Sequence, residues 1–336
     1  MARSFGFGYG ACVELCSVSC LHVLGVEAVR GVQMSRVLDL PCGGESEKLV
    51  KGLVSVCIPV YNHQRYVEQC VRSILEQDYS RIELIVIDDG SPDESCQVIK
   101  QLITECEARF ERFEFRSRPN KGLSNTLNEG LAWSRGEYFC VIASDDAMLP
   151  DKTTKLLAHL EEDATFAGAF GGIMMMDDDG KIVGQVNPGS RDCCFADIFL
   201  AKVKLLAPAN LLRTEVVRRM GGFNPQVKVE DWDLWLRMTH GGERLRIVGE
   251  VVSLYRRHDS NTSKNYALMQ NEMAKIASAY RLHPLYASNQ SMLHCMKFRD
   301  HAMVAKLQAV KMLPSVCWRV GDVRMWQGLF NLLFKW

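Results

Sequence analysis

The run Leu53-Val54-Ser55-Val56-Cys57-Ile58-Pro59, followed by Val67, Cys70, Val71, Ile74 and Leu75, decides the fold. The first stretch is short and β-rich, and the second set recurs at i, i+3, i+4, i+7 and i+8, the spacing of one helical face. The pattern repeats at once. Leu84-Ile85-Val86-Ile87 is all apolar, as a strand buried on both faces must be, and Val98, Ile99, Leu102, Ile103 and Cys106 restore the helical stripe. Glu114-Phe115-Arg116 predicts a weaker strand, 121–134 a helix carrying Leu123, Leu127 and Leu131, and Tyr138-Phe139-Cys140-Val141-Ile142 a fourth buried strand. Strand and helix alternating over 53–142 predict an α/β sheet, whose ligands sit beyond the carboxyl ends of the strands.

Polar residues gather at those ends. The first strand runs into Pro59-Val60-Tyr61-Asn62, the second into Asp88-Asp89-Gly90-Ser91 and the fourth into Ser144-Asp145-Asp146. One acidic pair in a loop signifies little, but several polar strand ends on one edge predict a site. Farther on, Leu156, Leu157 and Leu160 mark a helix, and 166–186 reads as two strands around Asp177-Asp178-Asp179-Gly180. That acidic run lacks the alternating ligands of a calcium loop, and Asp-Gly between strands signals a plain hairpin. Glu230-Asp231 opens a helix with Trp232, Trp235, Leu236 and Thr239 on one stripe, where first-turn carboxylates also complement the helix dipole. The last predicted strand ends in the cationic cluster Leu254-Tyr255-Arg256-Arg257-His258-Asp259-Ser260-Asn261.

Composition narrows the class. The 336 residues hold 40 Lys+Arg against 40 Asp+Glu, which excludes a general nucleic-acid binder. The zero is a cancellation: residues 1–50 carry −1, 51–280 carry −5 and 281–336 carry +6. The 13 cysteines are odd in number and lack C-x-x-C pairs, so reduced thiols and a cytoplasmic setting are expected. Cys12, Cys16 and Cys20 share a helical spacing that reads as packing. Between Glu14 and Glu27 lie 12 uncharged residues, short of the roughly 20 that span a bilayer, and no signal-peptide pattern precedes them.

A nucleoside-diphosphate sugar would suit this edge. With neither G-x-x-x-x-G-K-[ST] nor G-x-G-x-x-G after the first strand, the pyrophosphate must be held otherwise than by a glycine-rich cradle, and the ready alternative is a divalent cation. Asp145-Asp146 offers hard oxygen ligands for Mn²⁺ or Mg²⁺. Asp231 is the candidate base for an acceptor hydroxyl. His258 completes the metal shell or contacts phosphate, with Arg256, Arg257 or Lys121 adding positive charge.

The blocks Val54-Ser55-Val56-Cys57-Ile58-Pro59-Val60-Tyr61-Asn62, Ile87-Asp88-Asp89-Gly90-Ser91, Asn120-Lys121-Gly122, Ser144-Asp145-Asp146, Glu230-Asp231-Trp232-Asp233-Leu234-Trp235 and Tyr255-Arg256-Arg257-His258-Asp259-Ser260-Asn261-Thr262-Ser263 stand in an order that resembles the family-2 glycosyltransferases. The resemblance covers about 53–263. It implies a GT-A fold, a Rossmann-like nucleotide-sugar-binding sheet flanked by helices, and a metal-dependent inverting hexosyltransferase-type reaction. It further implies that Pro59 and Tyr61 line the nucleobase pocket, Asp89 accepts a hydrogen bond from the base, Asp145 contacts the ribose or sugar, Asp146 ligates the metal and Asp231 is the catalytic base. The unspaced Asp145-Asp146 leaves the direct ligand between the two, with Asp146 favoured, and Glu230 either assists Asp231 or caps the helix. The expected activity moves a sugar, from UDP-sugar for preference, to a glycan or lipid-linked hydroxyl in cell-surface polysaccharide assembly. Polyprenyl-phosphate glycosyl transfer and non-catalytic sugar-nucleotide binding are the alternatives.

Three segments are therefore expected: a poorly patterned extension over 1–50, the catalytic domain over 51–263 and a helical, basic, amphipathic extension over 264–336. The last, through 285–336, reads as either an interfacial membrane helix, placing the enzyme peripherally on the inner face of the membrane, or a helix packed on the body. The abrupt rise in pattern after 50 also suggests that Met34 is the true start. Intact-mass measurement of the native protein should give a chain beginning there; a mass matching all 336 residues overturns this start.

Overall fold

The first βαβ unit follows its hydrophobic periods. In the computed structural model, which describes residues 48–316, 319 and 321–335, strand β1 (Val50–Val60) leads into α1 (Val67–Leu75), β2 (Ile82–Asp88), α2 (Ser95–Arg109), β3 (Arg112–Ser117), α3 (Leu123–Trp133) and β4 (Gly136–Val141). β2 is buried along its whole length, as its unbroken apolar run requires, and α1 buries Val67, Cys70, Val71 and Ile74. Residues 1–47 of the expected 1–50 extension, with its three spaced cysteines and the Met34 start, lie outside the described residues, as do Trp318 and Trp336.

The chain continues through β5 (Ala147–Met148), α4 (Lys152–Glu162), β6 (Phe166–Met176), β7 (Ile182–Val186), β8 (Arg191–Cys193), α5 (Phe195–Phe199), β9 (Asn210–Arg213), α6 (Thr214–Arg219), α7 (Glu230–His240) and β10 (Arg244–Arg256). The sheet order is β3-β2-β1-β4-β9-β6-β10-β5, with β7 beside β6 and β8 beside β10. β3, β2, β1 and β4 run parallel; β9 is antiparallel between β4 and β6, and β6 and β10 are again parallel to each other. The carboxyl ends of β1, β2, β4, β6 and β10 thus share one edge. β6 and β7 form the expected hairpin around Asp177–Gly180. One apolar cluster fills each face of the sheet, the first around Val56, Leu84 and Leu156 and the second around Phe139, Phe170 and Trp235.

A buried charge fastens the opposite edge. Glu83, fully buried in β2, accepts the Ser55 hydroxyl, the Gly136 N–H at 3.1 Å and Arg112 Nη1 at 3.0 Å, joining the starts of β1, β2 and β4. Gly136 has no room for a side chain there, since a Cβ would lie 2.6 Å from the Leu53 carbonyl oxygen.

Four helices follow β10: α8 (Tyr266–Ser278), α9 (Tyr286–Val304), α10 (Lys306–Val316) and α11 (Val323–Phe334). Ile276 and Ala277 of α8 enter the second core cluster with Phe195 and Phe199, so this part of the tail packs on the body. The remainder builds a small core of its own from Cys295, Phe298, Ala302, Ala309, Val316 and Met325. Side chains from three helices also satisfy carbonyls that α5 leaves open at its end, as a helix terminus requires. Trp232 Nε1 reaches the Ile198 oxygen at 3.4 Å, Asn289 Nδ2 the Phe199 oxygen at 2.6 Å, and Arg324 the Leu200 and Ala201 oxygens. No helix among the described residues is long and apolar enough to cross a membrane.

Replacing Glu83 by Ala takes a buried acceptor from the Ser55 hydroxyl, the Gly136 N–H and the partly exposed Arg112, which keeps Glu114 and the Trp133 carbonyl, so a loss of about 2–3 kcal/mol is expected. Urea denaturation checks it; a loss below about 1 kcal/mol would remove Glu83 as the fastening of this edge.

Candidate active site

The loops after β1 and β2 are laced together. Pro59 is half-buried, Tyr61 is exposed, and Asn62 takes a left-handed φ of 58° that aims its N–H at Ser91 Oγ, 3.0 Å away. The next two N–H groups reach Ser95 Oγ at 3.0 Å and Asp93 Oδ2 at 2.9 Å. Asp89, buried at the end of β2, accepts the backbone N–H of Lys121 at 2.7 Å and of Gly122 at 2.9 Å, together with the Arg118 guanidinium. Asp89 and Lys121, both singled out in the sequence, thus meet through the Lys121 main chain while the Lys121 side chain is exposed. Gly90 belongs to the same join: at φ 73° its Cβ position would fall 2.8 Å from the Asn120 nitrogen.

Beyond β4 the two adjacent carboxylates part company. Asp145 Oδ2 lies 2.8 Å from His258 Nε2, and Asp145 Oδ1 lies 3.9 Å from His63 Nδ1. His63, Asp145 and His258 each offer a ligand atom, all within 4.8 Å of one another. Asp146 turns away and accepts the Arg256 N–H at 2.8 Å. Burial, with Asp145 beside it, pushes the Asp146 carboxyl well above the usual carboxylate range. The sequence reading favoured Asp146 as the metal ligand; of the pair, Asp145 is the one that lies among the imidazoles, while Oδ1 of Asp146 is engaged by the β10 main chain. Two imidazoles and a carboxylate form a donor set that accommodates a divalent ion. Burial holds the His63 imidazole below its ordinary value, in the neutral form that ligates.

His63 was missed in the sequence, although it directly follows the Tyr61-Asn62 strand end. Its Nδ1 also contacts Ser144 Oγ at 2.8 Å. Tyr66, another omission, stacks on His258 with ring centroids 5.2 Å apart and donates its hydroxyl to Asp178 on the hairpin turn. Helical spacing marks Tyr66 only as a residue ahead of α1, so nothing local signals this contact.

Arg256 does not face phosphate as the sequence reading allowed. It is buried, and its guanidinium donates to the Asp145 carbonyl at 3.0 Å, to the Asp177 and Asp178 carbonyls at 3.1 and 2.9 Å, and to Gln69. Arg257 is the exposed cation of that pair.

Glu230 and Asp231 form the first turn of α7. Because α7 descends to the start of β10 through the short connection 241–243, its first turn lies toward the carboxyl edge, where Asp145 also sits. Burial, reinforced by the Asp231 charge, pushes the Glu230 carboxyl up to about 8. Burial raises Asp231 as well, opposed by the N–H of Trp232, which Asp231 Oδ1 accepts at 2.6 Å. Each of the two adjacent carboxyls thus holds its proton above the usual carboxylate range.

Comparisons with known proteins bear on the family and the fold. A family model described as Glycosyl transferase family 2 matches residues 55–198. A Haemophilus influenzae protein described as an uncharacterized glycosyltransferase is 30% identical over 237 residues, which cover 66% of this chain and 71% of that one. The chondroitin synthase of Escherichia coli is 25% identical across 66% of this chain, which spans only 31% of that enzyme's length. Among solved structures, residues 1–349 of S. aureus TarS in complex with UDP-GlcNAc match with a TM-score of 0.57 at 17% identity, covering 83% of this chain and 81% of that one. The mannosyltransferase PcManGT from Pyrobaculum calidifontis, in complex with GDP-Man and Mn2+, matches with a TM-score of 0.55 at 16% identity, covering 84% and 88%. At such identities the structural likeness speaks for the fold, the GT-A arrangement of sheet and flanking helices.

The raised Glu230 carboxyl has a signed consequence. Between its ordinary value and about 8 the folded chain keeps a proton that the unfolded chain has lost, so stability falls as pH rises through that window. Glu230→Gln imitates the protonated form at every pH. Its melting temperature should match the wild type near pH 5 and exceed it by about 2–4 °C at pH 8.5, after allowing for the half-exposed position of the group. Parallel melting curves with a constant offset would refute the shift.

Proposed function

The chain belongs to glycosyl transferase family 2, and from that premise we propose an inverting enzyme that moves a sugar from a nucleoside diphosphate to a hydroxyl. UDP-sugar is the preferred donor and a glycan or lipid-linked molecule the acceptor, in the assembly of a cell-surface polysaccharide. The observation that carries this reading is the placement of a partly buried divalent-type donor set, His63, Asp145 and His258, on the same sheet edge as the raised carboxyls of Glu230 and Asp231. The chondroitin synthase relative and the UDP-GlcNAc complex support the pathway and the donor class, and the Mn2+ complex supports the metal.

In this reading the base of the donor lies against Pro59 and Tyr61 near Asp89, whose position is set by the Lys121 and Gly122 N–H groups. Asp145, His63 and His258 hold Mn²⁺ or Mg²⁺, with Asp146 bracing the loop from behind. When bound, the ion neutralises charge that builds on the departing diphosphate. Exposed Arg257 and Lys121 add cationic charge along the diphosphate path. Asp231 takes the proton of the attacking hydroxyl as the new glycosidic bond forms on the face opposite the leaving group. Glu230, protonated at neutral pH, keeps a second negative charge away from Asp231. The enzyme works from the cytoplasm, held peripherally at the inner face of the membrane through 285–336.

UDP release from UDP-sugars should require Mn²⁺ or Mg²⁺ and cease with chelator. Asp231→Asn should lower transfer to a hydroxyl acceptor by about 10²-fold or more, the loss expected of a general base, with the donor KM little changed. Transfer that survives the substitution would indicate a phosphate acceptor, which needs no base.

A further inference from the structure

α11 has two unlike faces. One packs inward: Met325, Gly328 and Asn331 are buried, and a Cβ on Gly328 would sit 2.5 Å from the Phe298 ring. The other carries Val323, Trp326, Phe330 and Leu333, each more than half exposed, at the i, i+3, i+7, i+10 spacing of a single stripe. Trp326 and Phe330 line a shallow groove of about 460 Å³ whose rim includes Arg299 and Lys335. Lys335 is exposed at that rim, Arg299 is half-buried and held by Asp300, and the stripe belongs to the segment 281–336 that carries +6. A stripe of this size is uncommon on a surface that water alone covers.

We propose that this face of α11 docks on an anionic lipid surface. The aromatic and aliphatic side chains enter the headgroup boundary, while the exposed Lys335 meets lipid phosphates. The charge of the segment favours lipid over a protein partner: 281–336 holds eight Lys and Arg against two acidic residues, the sign an anionic sheet attracts. The position also suits the chemistry. Arg324, on the same helix, holds the end of α5, and α5 in turn receives the indole of Trp232, the residue next to Asp231. A surface engaged by α11 is therefore connected by two side chains to the acceptor end of the site. The lipid-linked acceptor rests on the reading of function above; the docking face does not.

The test uses the full chain with two kinds of vesicle, phosphatidylcholine alone and phosphatidylcholine with phosphatidylglycerol. Co-sedimentation should show binding to the anionic vesicles that weakens with salt. The double variant W326E/F330E should lower the bound fraction at least tenfold, and K335Q should lower it severalfold while leaving the apolar stripe intact. Melting curves establish that both variants fold. Wild-type chain that ignores anionic vesicles, or variants that bind as wild type does, overturn the proposal. A wild-type dimer that W326E/F330E converts to monomer, without vesicle binding, assigns the face to a second copy instead. A rise in melting temperature with UDP-sugar and Mn²⁺ is read separately in each protein. Its absence with docking intact counts against the function alone.

Discussion

One buried cation organises the working edge of this enzyme. Arg256, at the last position of β10, gives its main-chain N–H to Asp146 and its guanidinium to carbonyls of Asp145, Asp177 and Asp178 and to Gln69. It also lies 4.8 Å from the centre of the Tyr66 ring. The loop after β4, the β6–β7 turn and the start of α1 therefore share one hub. A guanidinium withdrawn from water is costly unless its donors are satisfied, and here main-chain carbonyls and an amide do so, leaving Asp145 free to face His63 and His258.

Burial also tunes the carboxyls of this edge. Three acidic groups, Asp146, Glu230 and Asp231, are held away from full ionisation, while Asp145 stands beside two imidazoles. Polar groups are thus divided between an imidazole–carboxylate corner and a corner of raised carboxyls on one sheet edge. The sheet separates the two by topology: the first comes from strand ends β1, β4 and β10, the second from the helix that leads back into β10.

Much of this was legible along the chain because it is local. The alternation of periods over 53–142 specified strands and helices, and Asp88-Asp89, Asp145-Asp146 and Glu230-Asp231 fall at the ends of elements as their surroundings required. What escaped was relational. Nothing near Asp145 or Asp146 in sequence reveals that a main-chain N–H 110 residues away claims one and leaves the other to the imidazoles. Arg256 looked like a phosphate ligand because a cation after a strand usually faces solvent; its burial follows from packing by α1 and the hairpin. The turn Asp177–Gly180 read as a plain hairpin, and it is one, yet its carbonyls and Asp178 side chain brace the site.

The tie at the end of α5 bears on how such a protein changes over generations. Ile198, Phe199, Leu200 and Ala201 hand their carbonyls to Trp232, Asn289 and Arg324, residues drawn from α7, α9 and α11. Exchanging the C-terminal helices for those of a relative would leave these acceptors without donors unless α5 and the start of α7 travelled with them. The segments that must travel together are then discontinuous along the chain, and recombination at the seam after β10 would divide them.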